Sequence, residues 1–436
     1  MRIKHLTLVL AAAGLFSTQA QAQTEIQWWH SMGGALGEAL NGVANKFNES
    51  QKEYKVVPTF KGTYPESMTA AIAAFRSGNA PHLLQVFEVG TATMMAAKGA
   101  IVPVAKVMTD AKETFDPKAY LPTVTGYYSD LKGNMLSFPF NSSTVMFYIN
   151  KDAFKKAGLD PNKPPKTWKE FGAAAEKLKA SGQSCVYTTS WPSWTHIENF
   201  SAWHNVPIGT KQNGMGGFDT QFSINSPLHV RHISMLADLS KKGLFTYAGR
   251  TNQGDAKFSS GECAMFTGST GAQAGIRKAA SFDWSINFLP YYEDVKGAPQ
   301  NSIIGGASVW VMGGKKPEEY KGVAKFMAYL STPEVQRDWH TLTGYVPITQ
   351  ASYDLTKKSG FYDKDPGAEL AVKQLTNKAP TDNSKGLRFG NYVQGRTVIE
   401  EELENVFSGK KEAKAALDDA VKRGNEILRQ FEAANK

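Results

Sequence analysis

His30, Tyr64 and Glu88 occupy equivalent places, each just past a stretch that reads as a β-strand. Open parallel sheets take ligands outside the carboxyl ends of their strands. Taken alone, Glu88 reads equally as a solvated loop carboxylate, and Tyr64, followed by Pro65, as packing at a helix entry. Farther on, Gly268-Ser269-Thr270-Gly271 ends a strand and opens a helix, which can turn backbone amides and the positive end of a helix dipole toward an anion. No Gly-Lys-Ser/Thr follows, so this is not a Walker motif, and by themselves these four residues are more simply an ordinary helix start. The pair Gly305-Gly306 in a later strand suggests close backbone approach, either to a neighbouring strand or to a ligand.

Bond-breaking chemistry finds little support. There is no H-E-x-x-H, C-x-x-C or G-x-S-x-G. His229 and His232 share a helix face and read as surface polar residues, and His196-Ile197-Glu198 has no obvious third partner. No catalytic residue, metal ion or cofactor is expected.

The elements that must position these groups alternate. Residues 25–30, 54–60 and 83–87 read as strands, and helical spacing at Leu36, Leu40, Val43 and Phe47, then over 67–75 and 91–98, places helices between and after them. This is the βαβ pattern of a mostly parallel sheet. Residues 140–149 read as one strand, followed by a short helix over 151–158. Thr167 and Glu170 then form a capping box for a helix over 168–181. Strands follow at 184–190, 262–266, 283–288 and within 301–312. Ser226-Pro227 starts a helix to residue 242, and helices at 317–330 and from Thr332-Pro333 lead to a largely helical end.

At 436 residues the chain exceeds what one core usually serves, so two domains are expected. Arg2 and Lys4, an apolar run over 6–16 and Ala20-Gln21-Ala22 read as a signal peptide cut after Ala22, which implies a periplasmic protein. The net charge is +9, of which Arg2 and Lys4 contribute two, leaving +7 without a basic run. Nucleic-acid binding has no supporting motif. Cys185 and Cys263 could form a disulfide in that compartment or serve as small core residues.

The run 137–174, with Tyr148, Asn150 and Lys151 to Leu159, resembles the lobe-crossing segment of periplasmic solute-binding proteins of ABC importers. The resemblance implies an α/β, two-lobed periplasmic binding protein fold, like that of maltose-binding proteins, with a ligand cleft between discontinuous lobes. The lobes would be 23–138 with 297–345, and 139–296 with 346–436. Within that family the whole chain is similar to the branch that binds sn-glycerol 3-phosphate, through Trp29-His30-Ser31, FKGTYPE, QVFEVGTATMMA, PFNSST, AMFTGSTG, IIGGAS, LTGYVPIT and GLRFGNYVQGR.

The resemblance implies ligand contacts from Tyr64, Glu88, Ser143, Ser269, Gly306, Tyr345 and Arg396, with Trp191 stacking on the ligand. Trp194 is the alternative ring. Arg396 would present a charged planar fork to phosphate oxygens, although by itself it reads as a surface partner of Glu400 and Glu401. The partners implied are the inner-membrane permease and its ATPase subunits, with the binding protein a monomer. An uncharged sugar or oligosaccharide is the alternative ligand, a glycerophosphodiester such as glycerophosphocholine a nearer competitor, and glycerophosphodiester hydrolysis a remote third reading.

Overall fold

The computed structural model describes residues 23–130 and 132–436; the leader pattern over 1–22 lies outside them. Strands β1 (Thr24–His30), β2 (Tyr54–Phe60) and β3 (Leu83–Phe87) run parallel, with β1 in the middle. Helix Gly34–Ser50 connects the first two and buries Leu40, Ala44 and Phe47, the face that the helical spacing predicts. The next helix, Tyr64–Arg76, starts earlier than its apolar pattern. Glu66 reaches back to accept the Thr63 amide at 2.7 Å, so the turn before the pattern is helical as well.

After β4 (Ile101–Val102) comes β5 (Phe138–Ser143), and after the single residue Thr144 comes β6 (Val145–Asn150). The stretch 140–149 is therefore two strands instead of one. β5 pairs with a returning strand of the first sheet, whereas β6 pairs with strands of the second. Because the backbone bonds of β5 are made in the first lobe, the chain leaves that lobe at Thr144 and not at 138.

The second sheet adds β7 (Cys185–Thr189), β8 (Phe245–Tyr247), β9 (Cys263–Ser269) and β10 (Trp284–Asn287), in the order β10-β6-β9-β7-β8. Cys185 faces Cys263 in register and the two form a disulfide. Strand β11 (Gly305–Met312) then returns to the first sheet, antiparallel to β3, β4 and β5, giving the order β2-β1-β3-β11-β4 with β5 also on β11. Both sheets are thus mixed: their βαβ strands are parallel, and β11 in the first and β6 in the second run antiparallel to them.

Helix Gln350–Lys358 packs against helix Pro333–Thr343 in the first lobe, and only helix Pro366–Leu375 reaches β10. The last exchange accordingly falls between 358 and 366 and not at 346. Helices Tyr392–Phe407 and Ala413–Ala434 pack together against helix Pro227–Lys241 of the second lobe.

His229 and His232 on that helix are fully buried instead of lying on the surface. His229 bonds the Ser201 hydroxyl at 2.7 Å, and His232 bonds His196 at 3.1 Å while stacking on Phe200. As polar side chains they read as surface residues, but Ser201 and His196 give each of them a buried hydrogen-bond partner.

Candidate functional site

The eight residues singled out in the sequence line one cavity of about 60 Å³ between the lobes. From the first lobe, the turn after β3 contributes Glu88, and Tyr64 opens the helix after β2. Tyr64 stacks on Phe87, ring centroids 5.1 Å apart and nearly parallel, and its hydroxyl accepts a bond from Asn141 at 3.1 Å. Asn141 is in turn fixed by Gln85, which donates to it at 2.8 Å. Burial pushes the Tyr64 and Tyr345 phenols up, so both stay neutral. His30, by contrast, ends β1 as a buried residue away from this wall.

Ser143 and Gly306 come from the crossing strands β5 and β11, which pair beside the cavity. Gly306 has φ of +88°, and a Cβ there would lie 1.8 Å from the Asn141 carbonyl oxygen. Only glycine fits both the left-handed backbone and the strand approach. Tyr345 stands beyond the helix that ends at Thr343, stacked parallel to Trp339 at 6.0 Å.

From the second lobe, Ser269 ends β9 and its hydroxyl accepts the Gly271 amide at 3.0 Å. The Thr270 amide is bonded to the Thr144 carbonyl at 3.0 Å. Those two amides are therefore already engaged, and the expected seat of free amides reduces at these positions to a serine hydroxyl whose proton remains to be donated. Trp191 takes φ of +53°, a left-handed conformation costly for a bulky side chain, and its amide bonds the Thr251 carbonyl. That turn brings its ring to 6.4 Å from Tyr64. Trp194 lines the cavity too, packed where a Cβ on Gly305 would sit 2.2 Å from its ring, so both tryptophans form the wall.

Arg396 departs most from its expected setting. It projects from helix Tyr392–Phe407, is 7% exposed, and pairs with neither Glu400 nor Glu401. Its Nε and Nη2 donate to the two oxygens of Glu198 at 2.8 and 2.6 Å, and Nη2 also donates to Glu88 at 2.6 Å. The Tyr392 hydroxyl donates to Glu198 at 2.9 Å. The fork is shared between carboxylates of both lobes instead of standing free. Burial opposes its charge, but Glu198 and Glu88 more than offset this and hold the guanidinium protonated. Burial pushes the Glu88 carboxyl up, with Arg396 pulling the other way.

Phe87 on the cavity wall, and Glu198 and Tyr392 behind it, are the residues that sequence reasoning did not place at the site. Glu198 lies on a π-helical turn, Trp194–Asn199, whose i→i+5 bonding leaves no mark in residue spacing. Glu400, behind the wall, accepts the Ser193 amide at 3.0 Å, and burial pushes it up to about 7.

Two lobes with sheets of this topology, joined by crossing strands over a closed polar and aromatic cavity, define a solute-binding protein. The family model for bacterial extracellular solute-binding proteins matches residues 42–369, and the chain belongs to that family. It is 54% identical to the sn-glycerol-3-phosphate-binding periplasmic protein UgpB of Yersinia pseudotuberculosis, covering 100% of this chain and 99% of that one. It is likewise 54% identical to UgpB of Pectobacterium atrosepticum, covering 98% and 96%. Among solved structures, UgpB from Mycobacterium tuberculosis in complex with glycerophosphocholine aligns with a TM-score of 0.77 at 21% identity, over 94% of this chain and 99% of that one. Maltose-bound MalE3 of T. maritima aligns at 0.75 with 16% identity, over 93% and 100%. These two alignments speak to the fold.

Proposed function

We propose that this chain is the periplasmic substrate-binding subunit of an ABC importer, capturing sn-glycerol 3-phosphate, and glycerophosphodiesters that share its core, for delivery to the membrane permease. The full-length identity to proteins named for that ligand supports the reading. The observation that carries it is the cavity itself. Its wall brings one guanidinium and two serine hydroxyls, donors suited to phosphate oxygens, together with flat aromatic faces.

Ser143 and Ser269 supply hydroxyls, and Arg396 supplies charge-assisted donors. Tyr64, Tyr345 and Trp191 give flat faces to the carbon chain, and Glu88 offers a hydrogen-bonding group to the glycerol hydroxyls. The protein acts as a monomer and as a carrier without catalysis, with the permease and its ATPase subunits as partners.

Calorimetric titration of refolded, ligand-free protein with glycerol 3-phosphate, glycerophosphocholine and maltose tests the proposal. Tight binding of either phosphate compound with no response to maltose is expected. Binding of maltose alone would overturn the ligand and the role given to Arg396, leaving the fold intact.

A further inference from the structure

The cavity has one cation at its wall, and that cation is already committed. Arg396 is shared by Glu198 and Glu88, so carboxylates outnumber guanidinium by one before any ligand enters. Among the described residues, no lysine or histidine lines the cavity. An anion placed here adds like charge to a buried site, where low dielectric makes repulsion strong. Neutralising one carboxylate removes most of that cost.

Two carboxylates of the cluster could take the proton, and their surroundings differ. Glu198 receives three donor bonds, from Arg396 Nε and Nη2 and from Tyr392, and it does not line the cavity. Those three bonds engage both of its oxygens. Glu88 lines the cavity, and Arg396 Nη2 is its side-chain donor. Resting on the proposal that the ligand is a phosphate compound, we infer that binding takes up one proton from solvent and that Glu88 receives it. The carboxylate and a proton become a carboxylic acid, no other bond changes, and Glu88 then donates to a ligand oxygen instead of repelling it.

The other titratable groups facing this one do not remove the excess charge. Tyr64 and Tyr345 on the wall, Tyr127 and Tyr128 from helix Pro122–Tyr128, and Tyr392 are all kept neutral by burial. Glu400 and Asp255 are the rival proton acceptors. Burial pushes each up to about 7; one is held by the Ser193 amide and the other by the Ser190 hydroxyl at 2.6 Å. Neither lines the cavity.

The test is calorimetry of the full mature chain at pH 7.5 in Pipes and in Tris, whose ionisation heats differ, with glycerol 3-phosphate and glycerophosphocholine. The monoester can itself take a proton near pH 6, roughly, but the diester cannot. The buffer dependence is expected to show uptake approaching one proton with both ligands, retained in Glu400→Gln and Asp255→Asn and lost in Glu88→Gln. Uptake that persists in Glu88→Gln, or disappears in either of the other variants, overturns the assignment. If Glu88→Gln does not bind, the wild-type affinity for the diester decides. It should weaken up to tenfold per pH unit between pH 6 and 8.5, and a flat profile overturns the inference. Buffer-independent heat with binding intact sinks the inference alone, whereas no binding of either phosphate compound sinks the functional proposal and this inference with it.

Discussion

Arg396 joins the lobes as well as lining the cavity between them. Its pairs to Glu198 within the second lobe and Glu88 of the first are buried and short. Removing one partner of a buried ion cluster leaves the others uncompensated, at about 3–5 kcal/mol. Arg396→Ala is therefore expected to lose both ligand affinity and stability of that order, read by calorimetric titration and by urea unfolding. Unchanged affinity would place the anion elsewhere in the cleft. The residue types at this site were legible in the sequence. Their mutual pairing was not, because Glu88, Glu198 and Arg396 are far apart along the chain and meet only when both lobes have folded.

At the scale of elements, helix Pro227–Lys241 and the turn Trp194–Asn199 enclose imidazoles away from solvent. Burial lowers His196 and His229 to about 3 and His204 to about 4, and His340 in the first lobe also falls to about 4. The unfolded chain binds more protons than the folded one below the ordinary histidine value of 6.5. Stability is therefore lost as pH falls from about 6.5 toward 4, by at most about 1.4 kcal/mol per histidine per pH unit. Asp255 and Glu400 act in the opposite sense, since their raised values favour the folded state as pH falls through about 7. With His30, His82 and His232 also lowered and Glu88 also raised, seven histidines outweigh three carboxyls, so the urea midpoint is expected to decline between pH 6.5 and 4.5. A midpoint that rises or stays level over that range would show that the histidines take up protons in the folded state.

For the whole molecule, the cavity is walled from both sides, and the Arg396–Glu88 pair and an exposed Lys278–Glu38 pair bridge the lobes. The exposed pair contributes little, since surface ion pairs are worth about 0–1 kcal/mol. Ligand contacts shared by both lobes would shift an open population toward this closed form. Small-angle scattering of the ligand-free protein should show a larger radius of gyration that contracts on adding glycerol 3-phosphate. A radius unchanged by saturating ligand would mean that closure does not depend on it.

Local chemistry is what this sequence determined by itself. The helix cap at Thr167 and Glu170, the Ser226-Pro227 start and the strand 54–60 follow from side chains that act within a few residues of one another. Motif similarity located the wall residues, of which Tyr64, Glu88, Ser143 and Ser269 sit at the end of a strand or the start of a helix. Tertiary structure decided what depends on distant partners. It broke 140–149 at Thr144 by giving β5 and β6 to different sheets, moved the last crossing beyond 358, and buried His229 and His232. It also joined Cys185 to Cys263 and turned Arg396 from a free fork into a shared one. Strand pairing and ion pairing depend on distances between chain segments, and those distances are set only when the two lobes pack and meet.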